Sequence, residues 1–128
     1  MKEKPGALVF VVDDEPVIAQ SLAMILEHSG YSARPFTDPL EALANVSIDC
    51  PDLLISDVIM PQLSGIDLAI EAKKRCSDCK VLLFSGQAPT LDLLRAPDAE
   101  THRFTVLSKP IHPTDLLREI RRVQDVGM

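Results

Sequence analysis

The segment LVFVVDDEP, residues Leu8 to Pro16, decides the fold, because it places two acids directly after a run of apolar residues. The run from Leu8 to Val12 is short and continuously apolar, which is typical of a strand covered on both faces. Burying an isolated carboxylate is costly, so Asp13 and Asp14 need a reason to lie at the end of such a strand. Taken alone, Asp13 and Asp14 are equally well explained as acids in the first turn of a helix, where the helix dipole favours negative charge.

Further short apolar runs repeat this pattern along the chain and alternate with helical patterns. The predicted strands are Leu8 to Val12, Ser32 to Phe36, Leu53 to Ser56, Val81 to Phe84 and Thr105 to Leu107. Strands that alternate with helices form a parallel sheet with right-handed crossovers. We therefore predict an α/β fold with a doubly wound sheet, in which ligands bind beyond the carboxyl ends of the strands.

Capping residues mark where the predicted helices begin and end. Gly30 is a natural stop for the first helix. Asp38, with a proline after it, opens the second helix, Ser64 caps the third, and Pro113 opens the last. The helix expected over 88–96 has prolines on either side, so we expect it to be short and partly irregular.

Length and charge limit what the chain can be. Its 128 residues, 46% of them apolar and 25% charged, fit one soluble globular domain. The net charge of −6 argues against direct binding to nucleic acid, since neutralising phosphates requires a basic surface. The longest apolar run is far shorter than the roughly 20 residues of a membrane helix, so we expect a cytoplasmic protein with no membrane contact.

The three cysteines, an odd number, suit a reducing compartment. The spacing CSDC, from Cys76 to Cys79, is that of a redox or half-zinc motif. Neither a second CxxC nor a pair of suitably spaced histidines completes a zinc site, and the motif precedes a predicted strand, whereas thioredoxin-like chemistry would place it after one. We therefore interpret Cys76 and Cys79 as two loop thiols.

Polar side chains stand at the ends of most of the predicted strands. Asp13 and Asp14 end the first strand and Asp57 ends the third, so three carboxylates should converge at one edge of the sheet. Two like charges about 4 Å apart repel by about 4 kcal/mol at an effective dielectric constant of roughly 20, so a cation is needed beside them. Hard carboxylate oxygens suit Mg²⁺ or Mn²⁺. Lys109 and Ser85, after the fifth and fourth strands, add an amine and a hydroxyl to the same cleft.

Four motifs occur in a fixed order along the chain. They are VVDDEP (Val11 to Pro16), DVIMPQLSG (Asp57 to Gly65), FSG (Phe84 to Gly86) and LSKP (Leu107 to Pro110). In this order and at these intervals they resemble the receiver domain of two-component response regulators, the CheY-like family. The resemblance covers about residues 8–126 and implies a flavodoxin-like sheet of five parallel strands in the order 2-1-3-4-5, with helices on both faces. It also implies a single receiver domain over 1–128, with no output domain in this chain.

The resemblance implies a phosphoryl switch centred on Asp57. This carboxylate would accept a phosphoryl group from the phosphohistidine of a sensor histidine kinase or of a phosphotransfer protein. Asp14 would bind the metal directly, Asp13 would act beside it, often through water, and the main-chain carbonyl of Ile59 would be another ligand. The phosphorylated form would control a downstream effector or an output domain, and a homodimer is a further possibility.

The remaining site positions are carried over in the same way. Lys109 would pair with the phosphoryl oxygens, and Ser85 would hydrogen-bond one of them. A cis peptide bond before Pro110 would aim the lysine into the cleft. Gln87 flanks the cleft, where it would tune the access of water to the acyl phosphate. At Val106 the family usually carries Tyr or Phe, so this position lacks the ring on which the aromatic switch of the family depends.

Two expectations follow from the residues in which this chain departs from the family. Ile59 also flanks the cleft, and its apolar side chain does not orient an attacking water, so self-dephosphorylation should be slow. With Val106 in place of an aromatic ring, activation should appear as ordering of the segment from Gly86 to His102.

Three other functions fit parts of the pattern. A phosphatase of the haloacid dehalogenase type also uses an aspartate nucleophile with Mg²⁺, but it requires a DxD motif that neither Asp13 nor Asp57 begins. A nucleotide or flavin module on the same architecture needs a glycine-rich phosphate loop, and the chain has no GxGxxG or GxxxxGK[ST] motif. The last alternative is a degenerate receiver that binds a partner without being phosphorylated.

Overall fold

The computed structural model of the chain describes residues 7–86, 105–109 and 112–126, and within them it shows alternating strands and helices. The strands are β1 (Leu8–Val12), β2 (Ser32–Phe36), β3 (Leu53–Asp57), β4 (Lys80–Ser85) and β5 (Thr105–Ser108). The helices are α1 (Pro16–His28), α2 (Pro39–Ile48), α3 (Gly65–Arg75) and α4 (Pro113–Val126). All strands pair in parallel in the order β2-β1-β3-β4-β5, which confirms the predicted α/β fold.

The strand bounds agree with the prediction at β1 and β2 and extend it by a residue at one or both ends of the other three. These added residues are polar, namely Asp57, Lys80, Ser85 and Ser108. They continue the backbone pairing although their side chains interrupt the apolar pattern on which the prediction depended. The helix predicted over 88–96 lies outside the described residues.

Side chains cap the start of α2 and α3, where the sequence predicted, and a further contact lies before α4. The Asp38 carboxylate accepts a hydrogen bond from the Leu40 amide at 2.9 Å, and the Ser64 hydroxyl accepts one from the Asp67 amide at 3.1 Å. Before α4, Nδ1 of His112 accepts a hydrogen bond from a backbone amide at 3.2 Å. These contacts satisfy amides that have no partner within their own helix.

Apolar side chains pack on both faces of the sheet, because neighbouring residues of a strand point to opposite sides. On one face, α2 and α3 cover Phe10, Leu54 and Leu83. On the other face, α1 and α4 cover Val9 and Ile55. All these strand residues are fully buried, so the sheet is the rigid middle layer of the molecule.

The parallel register brings the carboxyl ends of the strands together. Val12, the last residue of β1, pairs with Ser56, one residue before the end of β3. Ser85, the last residue of β4, pairs with Ser108, the last residue of β5. Residues that follow these strands therefore share one edge of the sheet.

A disulfide links Cys50 to Cys76, with 5.8 Å between their Cα atoms, and Cys79 is a buried free thiol. The interpretation of Cys76 and Cys79 as two loop thiols is therefore wrong for Cys76, and Cys79 is not exposed on a loop. The partner of Cys76 comes from the segment between α2 and β3, 26 residues earlier, and local spacing carries no information about such a tertiary contact.

Within the described ranges, none of the helices is both long and apolar enough to span a bilayer.

Candidate functional site

Three carboxylates meet at the edge where the strands end. Asp13 and Asp14 follow β1, and Asp57 is the last residue of β3. One carboxylate oxygen from each lies within 4.8 Å of the others. Their exposure is graded, because the Asp13 side chain is 2% exposed, that of Asp57 is 15% exposed and Asp14 is open to solvent. The predicted convergence of these acids is confirmed.

Lys109 supplies a positive charge to this cluster. Its Nζ lies 2.8 Å from Oδ2 of Asp13 and 3.3 Å from Oδ2 of Asp57. Its backbone amide donates a hydrogen bond of 2.9 Å to the carbonyl oxygen of Ser85, which fixes the lysine beside the end of β4. The amine therefore bridges the ends of β1 and β3 from a position after β5. The sequence predicted a positive charge at this edge but not the double contact.

The charges of the cluster are not balanced. Burial raises the pKa of Asp57, and the charges of Asp13 and Asp14 add to that rise, while the Lys109 ammonium opposes it. Burial alone would lower the pKa of Lys109, but its hydrogen bond to Asp13 and the charges of Asp13 and Asp57 outweigh burial and raise the pKa. Among the residues that the structure describes, three carboxylates thus face the ammonium of Lys109, which leaves room for further positive charge.

Backbone contacts hold Asp13 in one orientation. Its amide donates a hydrogen bond to the Phe36 carbonyl at 3.0 Å, and its Oδ1 accepts one from the Glu15 amide at 2.9 Å. Oδ2 of the same carboxylate is the oxygen that contacts Lys109. Oδ1 of Asp13 therefore binds the backbone at the start of the β1–α1 connection, while Oδ2 faces the cleft.

The loop after Asp57 is wound tightly against the backbone of that residue. The Val58 amide donates a hydrogen bond to the Phe84 carbonyl at 2.9 Å, and the Val58 carbonyl accepts one from the Gly65 amide at 2.7 Å. A Cβ atom at Gly65 would overlap the carbonyl oxygen of Asp57. Gln62, within this loop, has a φ of +75°, a conformation that side-chain-bearing residues rarely adopt. The loop thus fixes the backbone position of Asp57.

Sequence reasoning did not assign a role to either Gly65 or Gln62. A signal for Gly65 was present, because a glycine directly after the capping Ser64 is a poor choice for the first turn of a helix and implies a close backbone approach. No comparable signal marked Gln62, since glutamine is an ordinary residue whose φ is imposed by the loop around it.

The other predicted site positions fall near the cluster or outside the described residues. Ser85 is 8% exposed at the end of β4, and Ile59 is 46% exposed, two residues beyond Asp57. Val106 is half-buried, pairs with Leu83 and packs against the α2–α3 side of the core. Gln87, Pro110 and most of the segment from Gly86 to His102 lie outside the described residues.

The residues present fit a divalent cation. Three carboxylates with oxygens within 4.8 Å of one another form a hard, anionic ligand set, which is the kind that Mg²⁺ and Mn²⁺ prefer. Within the described part of the chain, the carboxylates also outnumber the ammonium of Lys109, which points the same way. The cluster is therefore able to hold a metal ion.

Comparisons with known proteins agree with this geometry. The family model described as response regulator receiver domain matches residues 9–121. The chain is 31% identical over 113 residues to response regulator MprA of Mycobacterium leprae (strain TN), covering 88% of this chain and 49% of that protein. It therefore spans about half the length of the curated relatives that it matches.

Solved structures give the same result. A response regulator receiver domain protein from Clostridium thermocellum superposes with a TM-score of 0.83 at 28% identity, covering 93% of this chain and 94% of that one. A CheY-like receiver domain protein from Methanospirillum hungatei JF-1 superposes with a TM-score of 0.85 at 25% identity, covering 95% and 96%. Both likenesses extend over nearly the whole chain.

Proposed function

Because the chain belongs to the response regulator receiver domain family, we propose that it accepts a phosphoryl group on Asp57 and transmits the change to a partner. The donor would be the phosphohistidine of a sensor histidine kinase or of a phosphotransfer protein. The observation that carries this proposal is the contact of one ammonium, that of Lys109, with both Asp13 and Asp57 at the shared edge of the sheet.

Asp57 is the carboxylate best placed to act as the nucleophile. Its side chain is 15% exposed, so an incoming phosphorus atom has access to it, and its Oδ2 lies 3.3 Å from Nζ of Lys109. Asp13 contacts the same amine, but its side chain is only 2% exposed. Asp14 is open to solvent, but among the described residues it forms no ion pair with Lys109. In the transfer, a carboxylate oxygen of Asp57 forms a bond to phosphorus while the bond from phosphorus to the donor imidazole nitrogen breaks. The nitrogen keeps the electron pair of that bond, and the product on this chain is an acyl phosphate.

Lys109 would stabilise the negative charge on the phosphoryl oxygens during this step. Its ammonium now contacts the carboxylate oxygens of Asp13 and Asp57, and phosphoryl oxygens on Asp57 would lie within reach of the same amine. An ammonium held beside the transferring group stabilises the charge that develops on it. The buried contact with Asp13 keeps the amine in place before the donor arrives.

Mg²⁺ or Mn²⁺, when bound by Asp13, Asp14 and Asp57 with the main-chain carbonyl of Ile59, would neutralise charge on the transferring oxygens. Asp13 is pre-oriented for this by its hydrogen bond from the Glu15 amide. Asp14 is open to solvent, as a ligand must be that receives an ion from water.

Ser85 would pass the change on to the rest of the molecule. Its residue is 8% exposed at the end of β4, and its carbonyl is already bound to the amide of Lys109. A hydroxyl that turns toward a phosphoryl oxygen would pull on the segment that follows β4. Val106 is aliphatic and half-buried, so the aromatic rotation usual in the family has no ring to carry it at this position.

The output of the proposed switch is a protein contact. The chain spans about half the length of its curated relatives. The receiver would act either on an output domain of a longer protein or on a separate effector. We place this action in the cytoplasm, and formation of a homodimer is one way in which the phosphorylated form would act. We propose no direct binding of nucleic acid by this domain, because its net charge of −6 disfavours contact with phosphates. A phosphorylation-independent interaction module is not favoured, because such a module has no need of the clustered acids and lysine.

The decisive experiment uses a small acyl phosphate as donor with Mg²⁺ and measures the intact mass of the protein. We expect a phosphoryl adduct on the wild type, none on Asp57→Asn, and none when EDTA removes the metal. Asp67→Asn is the matched control, because Asp67 is exposed at the start of the helix that follows the site. An adduct on Asp57→Asn as abundant as that on the wild type would refute the proposal.

A further inference from the structure

The Cys50–Cys76 disulfide closes a covalent ring around one structural unit. Cys50 lies three residues before β3, and Cys76 caps the end of α3. The ring of 26 residue steps therefore contains β3, Asp57, the loop after it and the whole of α3. The bond lies toward the amino ends of the strands, opposite the carboxylate cluster, because α3 runs back from that cluster to the start of β4.

The two halves of the disulfide differ in exposure. Cys50 is exposed, whereas Cys76 is 6% exposed. We therefore expect a thiolate from solution to attack the sulfur of Cys50, with Cys76 as the leaving group. Sγ of Cys76 lies 3.5 Å from the Val46 carbonyl oxygen. After reduction, the thiol of Cys76 would therefore have a hydrogen-bond acceptor within reach.

Cys79 does not compete with this exchange. Its amide donates a hydrogen bond to the Cys76 carbonyl at 3.0 Å, and Lys73 binds the Cys79 carbonyl at 2.9 Å, so the CSDC segment is a fixed turn. The residue is 1% exposed, and burial raises the pKa of its thiol to about 11. A buried, protonated thiol is a poor nucleophile, so Cys50 remains the partner of Cys76.

Non-covalent contacts also join α2 to α3. Nη1 of Arg75 donates to the Leu43 carbonyl at 3.2 Å and to the Ser47 hydroxyl at 3.0 Å. These contacts lie next to Cys76 in the chain and do not depend on the disulfide. The reduced protein should therefore stay folded while α3 is held less firmly.

We propose that the Cys50–Cys76 disulfide is a redox-reversible clasp that sets how firmly the unit carrying Asp57 is held. A protein dithiol or a small dithiol supplies the electrons. One of its thiolates attacks Sγ of Cys50, the bond to Cys76 breaks, and Cys76 leaves as a thiolate that takes up a proton. The second thiol of the reductant then attacks the mixed disulfide, which releases Cys50 as a thiol and the reductant as a disulfide. This inference goes beyond the proposed function and does not depend on it.

The first test counts thiols. The purified protein is denatured without reductant and alkylated with iodoacetamide, and its intact mass is compared with that of a sample treated with dithiothreitol. We expect one alkylated cysteine without reductant and all three after reduction. Three alkylated cysteines in a sample kept under air would show that the bond does not form and would overturn the proposal.

The second test asks whether the bond acts as a clasp. Opening a loop of this length should lower the melting temperature of the wild type by roughly 5–15 °C. Amide hydrogen exchange should become faster within residues 50–79 and stay unchanged in β1. Cys50→Ser should behave like the reduced wild type in either condition, whereas Cys79→Ala, the matched control, should still respond to dithiothreitol. A wild type whose melting temperature and exchange are the same in both redox states would rule out the clasp.

Discussion

Nζ of Lys109 lies 2.8 Å from Oδ2 of Asp13, and this contact joins residues 96 positions apart in the chain. It crosses the sheet edge from the end of β5 to the end of β1, past Asp57 at the end of β3. One amine therefore compensates carboxylates from two strands.

Lys109→Met should destabilise the protein in EDTA. We expect the free energy of unfolding to fall by about 1–3 kcal/mol, because Asp13 and Asp57 lose the cation that they contact. The expected loss is smaller than that for a fully buried ion pair, because the lysine side chain is 22% exposed. Urea denaturation measures it, and added Mg²⁺ should recover part of it. The control is Arg118→Met, whose pair with Asp115 is more than half exposed and should cost less than about 0.5 kcal/mol. Equal losses in the two variants would contradict this account.

Gly65→Ala should displace Asp57. The added Cβ overlaps the Asp57 carbonyl oxygen and approaches the backbone of Val58, so we expect a loss of about 2–3 kcal/mol of stability and much slower formation of the phosphoryl adduct. Gly30→Ala is the control, because it meets no atom within 4 Å but has a φ of +96°. That variant should lose about 1–2 kcal/mol from strain and form the adduct at the normal rate. The idea fails if Gly65→Ala forms the adduct as fast as Gly30→Ala.

Gln62→Gly should stabilise the protein. Glycine adopts a φ of +75° without strain, and Gln62 is exposed, so no packing is lost. The expected gain in the free energy of unfolding is about 0.5–1 kcal/mol after the entropic cost of glycine is subtracted. Gln62→Ala keeps the strain and should show no gain in the same denaturation experiment. A gain of similar size in both variants would mean that strain is not its source.

Ile59→Asn should shorten the lifetime of the phosphorylated form. Ile59 is 46% exposed beside Asp57, and its apolar side chain cannot orient a water molecule, whereas an amide can. We expect hydrolysis to become several-fold faster, followed by intact mass after the donor is removed. Ile48→Asn, an exposed isoleucine on α2, is the control and should leave the decay unchanged. A wild-type adduct that decays within seconds would contradict the prediction of slow hydrolysis.

Cys79 should make stability fall in alkaline solution. Burial raises the pKa of this thiol from 9.0 to about 11, so the folded state disfavours the thiolate. The stability that the protonated thiol contributes is complete below pH 9 and is lost as the pH rises toward about 11, a change of roughly 2–3 kcal/mol.

The measurement compares the wild type with Cys79→Ala by denaturation at pH 8 and pH 10.5, so that the titration of other groups cancels. The wild type should lose more stability than the variant over this interval. If both lose the same amount, the thiol does not titrate in the folded protein as expected.

The sequence predicted the sheet and the carboxylate cluster because both depend on simple rules. Short apolar runs separated by helical patterns specify a parallel doubly wound sheet, and such a sheet places the residues after its strands at one edge. Asp13, Asp57 and Lys109 were therefore expected to meet, although they come from distant parts of the chain. Their roles in phosphoryl transfer remain predictions.

Features that depend on exact tertiary distances were not predictable in this way. The pairing of Cys50 with Cys76 requires the ends of two segments to approach within bonding distance, and neither residue's local sequence records that approach. The tight contact of Gly65 with Asp57 and the positive φ of Gln62 likewise follow from how the loop closes. Strand ends were extended for a related reason, since backbone pairing continues past the last apolar residue.

The covalent ring from Cys50 to Cys76 has a practical consequence for proteolysis. A protease that cuts once between Asp57 and Gly65 divides the polypeptide into two fragments that the disulfide still ties together. On a denaturing gel such a nicked sample would separate into two bands only after a reducing agent is added.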